Sequence, residues 1–279
     1  MSMLAVALIQ MCTPATQAAA LAQAEPLIRQ AAAEGAQLVL TPEGTNLLQR
    51  NRDAMFAALR PTQEDVCVQG LVALGAELKI WLLIGSALVL RPDGLAANRS
   101  LMISPEGKIV ASYDKIHMFD VNVSETEVYR ESAGYRPGNR AVLAETPFAK
   151  IGMAVCYDLR FAHLFRRLAQ AGAQILTVPA AFNHLTGQAH WEVLLRARAI
   201  ETGCFVLAPA QTGFHPESAG GGKGRRTHGH SLVIAPWGEV LADGGTDPGV
   251  TFADLDLAEV DRARGRVPAL QHDRMFDGP

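Results

Sequence analysis

The sequence predicts an α/β fold in one domain, and three observations carry that expectation. Apolar runs of strand length, at residues 3–10, 37–40 and 174–178, alternate with segments whose apolar residues recur at helical spacing. Several of the runs end abruptly in turns rich in Pro, Gly or Asp, the place where open α/β sheets carry their chemistry. The chain has 279 residues, 49% of them apolar, and no stretch of linker composition divides it, so 1–279 is expected to form one body.

The strand over 3–10 is followed by an alanine-rich helix over 15–33, with Thr16 as its N-cap, Pro26 as a kink and Gly35 as its stop. A second strand at 37–40 completes a β-α-β unit and implies a sheet covered by helices. It runs into Thr41-Pro-Glu-Gly44. Pro42 cannot donate to a ladder and Gly44 permits unusual dihedrals, so Glu43 projects from a rigid turn. Taken alone, a turn glutamate is ordinarily a solvated surface charge. A helix is expected over 62–79 and a fully buried strand over 80–89. Turns at 91–94 and 105–108 then bound strands at 98–103 and 109–113, a meander that makes the sheet mixed. Lys115 stands just beyond the last of these. From 121 to 139 the hydrophobic period disappears and a loop is expected; it contains Glu131, which as a lone loop carboxylate is discounted.

The stretch 151–161 is the centre of the arrangement. Its first six residues read as a buried strand and an amphipathic helix follows over 161–172, so Cys156 sits at a strand's carboxyl end on the turn into a helix. Backbone N–H groups at a helix start favour negative charge, and the same field is expected to lower the pKa of Cys156. A small buried hydrophobe is the plainer alternative. Beyond it come a strand at 174–178, a helix at 187–203 and a strand at 204–209. Short strands at 231–235, 240–243 and 250–256 precede a charged helix to about residue 264. The tail, 265–279, is expected to pack against a partner or lie loose.

Several function classes fall away. A formal charge of −3 argues against nucleic-acid binding through phosphates. No run of about 18 apolar residues and no secretory signal is present, so a soluble, cytoplasmic protein is expected, with no membrane contact. Cys12, Cys67, Cys156 and Cys204 lie far apart and none has C-x-x-C spacing. The glycine-rich basic stretch 218–227 fails as a phosphate loop, because Glu217 stands where a glycine is required and Gly224 where Ser or Thr is required; a solvated surface loop is expected. His228 and His230 are expected to diverge, and no acidic cluster completes a metal site.

No G-x-S-x-G, H-E-x-x-H or helix-opening G-x-G-x-x-G is present. What remains is Glu43, Lys115 and Cys156, each just past a strand. Converged, they make an acyl-transfer site: Glu43 takes the thiol proton, Cys156 attacks an electrophilic carbon, and Lys115 meets the developing oxyanion. Thr41-Pro-Glu-Gly44, Tyr113-Asp-Lys-Ile-His117 and Gly152-Met-Ala-Val-Cys-Tyr-Asp-Leu-Arg160 resemble, in order, the Glu, Lys and Cys motifs of the nitrilase (carbon–nitrogen hydrolase) superfamily. The resemblance runs from Met3 to about His272, and within the superfamily the chain looks most like the Nit amidases.

That resemblance implies a four-layer α-β-β-α sandwich with mixed sheets, no metal or organic cofactor, and a homodimer or larger homo-oligomer. It makes Cys156 the nucleophile and Glu43 the general base, and matches Glu131 to a second active-site glutamate that orients Lys115 and the substrate amide. The N–H of Tyr157 becomes the second oxyanion donor. The implied reaction opens the amide of a small 2-oxo acid through a thioester, with loss of ammonia. Arg130-Glu-Ser132 and the segment from Cys156 to Phe161 favour deaminated glutathione; α-ketoglutaramate, succinamate and N-carbamoyl acids are the alternatives. Arg160 is the candidate partner of a distal substrate carboxylate, and Phe182 and Thr186 are expected to line the pocket. Glu43→Gln and Lys115→Ala are both expected to impair turnover without unfolding. The chain departs from the pattern at Ala162-His163, where relatives commonly have Pro-Glu, and between Asn122 and Glu127. A thiol redox sensor and an idle scaffold are the readings from other classes.

Overall fold

The first strand shows why these runs are apolar throughout. In β1 (Leu4–Gln10), Leu4, Val6 and Leu8 face one core while Ala7 and Ile9 face another, so both surfaces of the strand are covered. The computed structural model describes residues 3–123, 127–216 and 224–278. After β1 come α1 (Gln17–Ala33), β2 (Leu38–Leu40), α2 (Arg52–Ala58), α3 (Val66–Leu78), β3 (Trp81–Leu90), β4 (Ala96–Ile103) and β5 (Ile109–Asp114). A small ribbon, β6 (Asp120–Asn122) with β7 (Val128–Arg130), leads to β8 (Val142–Glu145), β9 (Lys150–Met153), α4 (Ala162–Gln170), β10 (Ile175–Thr177), α5 (His184–Thr202) and β11 (Phe205–Ala208). A hairpin of β12 (Thr212–Pro216) and β13 (Gly224–His228) precedes β14 (Leu232–Ile234), β15 (Val240–Asp243), β16 (Gly249–Leu255) and α6 (Ala258–Arg266).

The strands form two six-stranded mixed sheets, β16-β1-β2-β3-β4-β5 and β15-β14-β11-β10-β9-β8. Each has three parallel strands at its heart, β1-β2-β3 in one and β9-β10-β11 in the other, with antiparallel strands outside. The inner faces meet: Leu4, Val6, Leu8, Leu40 and Leu83 share one core with Ile151, Met153, Ile175 and Leu207. Outside the first sheet lie α1 and α3, the inward row Ala20, Ala24, Ile28 and Ala31 of α1 having the spacing of one helix face. Outside the second lie α4 and α5, through Leu164, Phe165, Leu168, Trp191 and Leu195. The layers are therefore α-β-β-α.

Several expected boundaries move for local reasons. The helix expected from residue 62 begins at Val66, because Asp65 caps it by accepting from the Val68 N–H at 2.9 Å. Thr16 stands at the N-cap of α1 without a capping bond, and Gly35, at φ 93°, ends that helix. Asn183 caps α5 and starts it at His184, ahead of the expected residue 187. The stretch 121–139 is not wholly loop, since it holds β7 and part of β6. Of the surface loop expected at 218–227, residues 218–223 lie outside those described, and 224–227 belong to β13, where pairing with β12 satisfies their backbone groups.

Candidate active site

Glu43 is not a solvated turn residue. It follows β2 in a turn locked by the Thr45 hydroxyl, which donates to the Pro42 carbonyl at 2.6 Å, and by the Gly44 N–H, which donates to the Ser86 hydroxyl at 2.9 Å. Gly44 has φ 68°, which accounts for the glycine. The turn also needs room on its other side. A Cβ on Gly85 of β3 would lie 1.8 Å from the Thr41 carbonyl oxygen and 2.5 Å from the Pro179 Cβ. Glycine there lets the end of β2 close onto the segment after β10, where the Ala181 N–H donates to Glu43 Oε2 at 2.7 Å. The carboxylate ends 7% exposed.

Cys156 arrives from the other sheet. Beyond β9 the chain continues its parallel pairing, Ala154 N–H donating to the Thr177 carbonyl and Cys156 N–H to the Pro179 carbonyl at 2.9 Å. Cys156 then takes φ 50°, a left-handed conformation unusual for a residue with a side chain, and turns the chain into the tight helical turn Cys156–Arg160 that leads into α4. Strain of this kind holds only where the surroundings fix it, and it clusters at sites that do chemistry.

Lys115 follows β5 and is 2% exposed. Its Nζ donates to Glu43 Oε1 at 3.2 Å and to both Glu131 oxygens at 3.1 and 2.8 Å. Asn98 of β4 donates to Glu43 Oε1 at 2.8 Å, and the Phe119 N–H to Glu131 Oε2 at 2.6 Å. The cysteine thiol faces the Glu43 carboxylate. Glu43, Lys115, Glu131 and Cys156 thus converge on one cavity of about 310 Å³, which they all line.

The charges follow from this geometry. Burial alone would raise Glu43, but the Lys115 charge, the facing Cys156 thiol and the Ala181 hydrogen bond outweigh it and hold the carboxyl below its ordinary value. Burial works against a charged Lys115, yet Glu131 and Glu43 push its pKa well up. Cys156 goes opposite to the expectation from the helix field. Burial and the facing Glu43 carboxylate raise it well above an ordinary thiol, beyond what Lys115 offsets, so at rest the site is thiol, carboxylate and ammonium.

The expected substrate residues sit elsewhere: the side chains of Tyr157, Arg160, Phe182 and Thr186 do not line the cavity. Arg160 lies over the Tyr157 and Phe182 rings and reaches His190 Nδ1 at 3.2 Å. Phe182 packs on Trp191, and the Thr186 hydroxyl bonds back to the Asn183 carbonyl within the start of α5. Tyr157 follows the cysteine in its tight turn and packs its ring against Phe119 and Phe161. Three residues that do build the site escaped the sequence reading. Asn98 gave no signal of its own, since it stands beside Arg99 and Ser100 in β4. Asp158, wholly buried, accepts from the Tyr113 hydroxyl at 2.7 Å and from the Val155 and His117 N–H groups, tying the lysine segment to the cysteine turn. Arg225 lines the cavity from the hairpin set aside as surface loop. The His228 and His230 rings do not diverge but lie 4.8 Å apart, because β13 ends at His228 and the chain turns there through Gly229, at φ 76°, and His230, at φ 56°. Among the described residues, no group of three or more His, Cys, Asp or Glu is placed to hold a metal ion.

A buried thiol with a carboxylate at its proton and an ammonium beside it is the equipment of a cysteine-dependent hydrolase of acyl compounds. The comparisons with known proteins give this class its family. Residues 5–265 match the carbon–nitrogen hydrolase family. Deaminated glutathione amidase of Yersinia enterocolitica is 39% identical over 273 residues, covering 96% of this chain and 92% of that protein. The fold superposes on the Caenorhabditis elegans NitFhit protein with a TM-score of 0.88 at 32% identity, covering 98% of this chain and 65% of that longer one. A mutant of the amidase from Nesterenkonia sp. AN1, with covalent addition of the acetamide moiety of fluoroacetamide at its active site cysteine, gives 0.79 at 25% identity, covering 98% and 94%. The chain belongs to the carbon–nitrogen hydrolase family and is an amidase.

Proposed function

We propose that this amidase hydrolyses the amide of a small 2-oxo acid, deaminated glutathione foremost, through a thioester on Cys156. The observation that carries the reading is the Glu43 carboxylate, which faces the Cys156 thiol and accepts hydrogen bonds from Lys115 and the Ala181 N–H. In the first step Glu43 takes the thiol proton as sulfur bonds the amide carbon. The carbonyl oxygen becomes an oxyanion, met by Lys115 Nζ and the Tyr157 N–H. The C–N bond breaks as Glu43 returns the proton to the departing nitrogen. Water then gives a proton to Glu43 and its oxygen attacks the thioester, and the thiol leaves reprotonated. Ammonia leaves only from a primary amide such as α-ketoglutaramate; deaminated glutathione releases the amine of cysteinylglycine. Glu131, bonded twice to Lys115, holds the ammonium between the two carboxylates.

Two further parts belong to the proposal. All four cysteines are unpaired and Cys156 acts only when reduced, which suits the cytoplasm. No second cysteine lines the cavity, so a redox sensor with a resolving thiol finds no support among the described residues. Assembly is proposed as a homodimer. Its support is on α5, where Leu185, Val193 and Ile200 are all more than half exposed and their spacing puts them on one side of the helix.

The test is product formation from deaminated glutathione and α-ketoglutaramate in parallel, for the wild type and Cys156→Ala. 2-Oxoglutarate is measured for both, with cysteinylglycine for the first and ammonia for the second. Wild-type turnover that Cys156→Ala abolishes, with the higher kcat/KM on deaminated glutathione, is the expected result. Turnover of neither amide ends the substrate assignment.

A further inference from the structure

The cavity carries more positive charge than its catalytic lysine accounts for. Lys115 is committed to two carboxylates, Arg130 to the Val121 and Tyr129 carbonyls and Asn122, and Arg52 to the Ala133 carbonyl. Two other arginines line the same space, Arg225 with a buried nitrogen left unpaired among the described residues and Arg50 at the rim. Arg225, on β13, lies 5.4 Å from the centre of the Tyr129 ring and, among the described residues, donates one bond, to the Ala181 carbonyl. Its Nε is buried and has no hydrogen-bond partner among the described residues. Arg50, exposed at the rim, lies 5.9 Å from the centre of the same ring. Among the described residues neither has a carboxylate within ion-pair distance. His215 lines the cavity beside them and stays neutral, because burial and the charges of Arg225 and Arg50 oppose its protonation.

The position of Arg225 relative to the chemistry is fixed by one residue. Ala181 gives its N–H to Glu43 and its carbonyl to Arg225, so a single residue's backbone separates the general base from the guanidinium. A substrate whose carbonyl carbon sits at Cys156 therefore extends along a wall that bears positive charge. A buried donor lacking a partner favours a ligand that supplies an acceptor, and a guanidinium matches a carboxylate with two parallel bonds.

We propose that Arg225, with Arg50 at the rim, forms a carboxylate-binding subsite that selects amides whose acyl fragment carries a distal carboxylate, that is, monoamides of dicarboxylic acids. The proposal rests on the amidase reading and names the part of the substrate that this site grips. It moves the anion partner from Arg160, which lies outside the cavity, to the β12–β13 hairpin. The competing account makes Arg225 only a prop for the Ala181 carbonyl.

The experiment is calorimetric titration of the full-length Cys156→Ala protein, which binds without turning over, with succinamate and with the uncharged butyramide, competed against each other where binding is weak. Arg225→Gln in that background is expected to weaken succinamate about ten- to a hundredfold more than butyramide, Arg225→Lys by less, and Arg160→Gln by less than either. Added salt is expected to weaken succinamate selectively. Equal losses for the two ligands in Arg225→Gln support a prop and overturn the subsite, as does an absence of succinamate binding. If succinamate binds through Arg225 while the unmodified enzyme turns over no amide, the subsite stands and the substrate assignment falls.

Discussion

At the scale of single residues, the structure separates two substitutions that look alike in sequence. Glu43→Gln keeps the shape of the side chain and leaves Lys115 paired with Glu131, so the protein is expected to fold and melt near the wild type. It removes the proton acceptor, for which a loss of about 10²–10⁴ in kcat is expected. A folded Glu43→Gln enzyme with near-full turnover contradicts the assignment. Lys115→Ala is different, because it strands two carboxylates in a site where the lysine itself is 2% exposed. Removing one partner of a buried ion cluster costs about 3–5 kcal/mol, so this variant is expected to lose stability along with activity, contrary to the expectation from sequence; a melt unchanged by Lys115→Ala refutes the point. Glu43, Lys115 and Cys156 were legible because each follows a strand that a turn ends. Asn98, Asp158 and Arg225 were not, since each acts through a partner more than 40 residues away or, for Asp158, through three groups drawn from two segments.

Among the elements, legibility followed hydrophobic content. The central strands β1, β2, β3, β10 and β11 are apolar on both faces and stand out, whereas β8, half exposed at a sheet edge, leaves no such run and was not anticipated. The seven-residue α2 escaped for a related reason, since Met55 is its one buried residue. The helix α5 was legible, but its outer face carries a feature that periodicity alone did not reveal. Val193 and Ile200 are two turns apart and both exposed, although they are as apolar as the residues α5 buries. If a second copy covers that stripe, Ile200→Glu places a charge in the interface and is expected to shift the protein from dimer to monomer in light scattering, with kcat falling little. A wild type already monomeric at micromolar concentration contradicts the homodimer.

The molecule as a whole brings its site together from two sheets, and that arrangement sets its response to pH. A fold that encloses titratable groups away from water loses stability toward both acid and alkali. On the acid side, burial first, then Arg225 and Arg50, push His215 down to about 4 from 6.5, while burial and the neighbouring His230 and His184 push His228 to about 4. A histidine with a depressed folded pKa lets the unfolded chain bind a proton first, so stability is complete above 6.5 and falls as pH drops toward 4. For the well-buried His215 this is about 3 kcal/mol over the window. Glu43, held below its ordinary value, adds loss of the same sign further down. On the alkaline side, burial raises Cys67, Cys156 and Cys204 above 9.0, so the unfolded chain ionises first and stability falls as pH rises past that value. The expected melting profile is flat between about 6.5 and 9 and declines on both sides. His215→Gln removes one proton-binding group from the unfolded chain and is expected to lower the melting temperature near neutrality, by loss of its bond to Thr227, while flattening the decline between pH 6.5 and 4. Parallel acid limbs for the two proteins in calorimetry refute the assignment of that slope to His215.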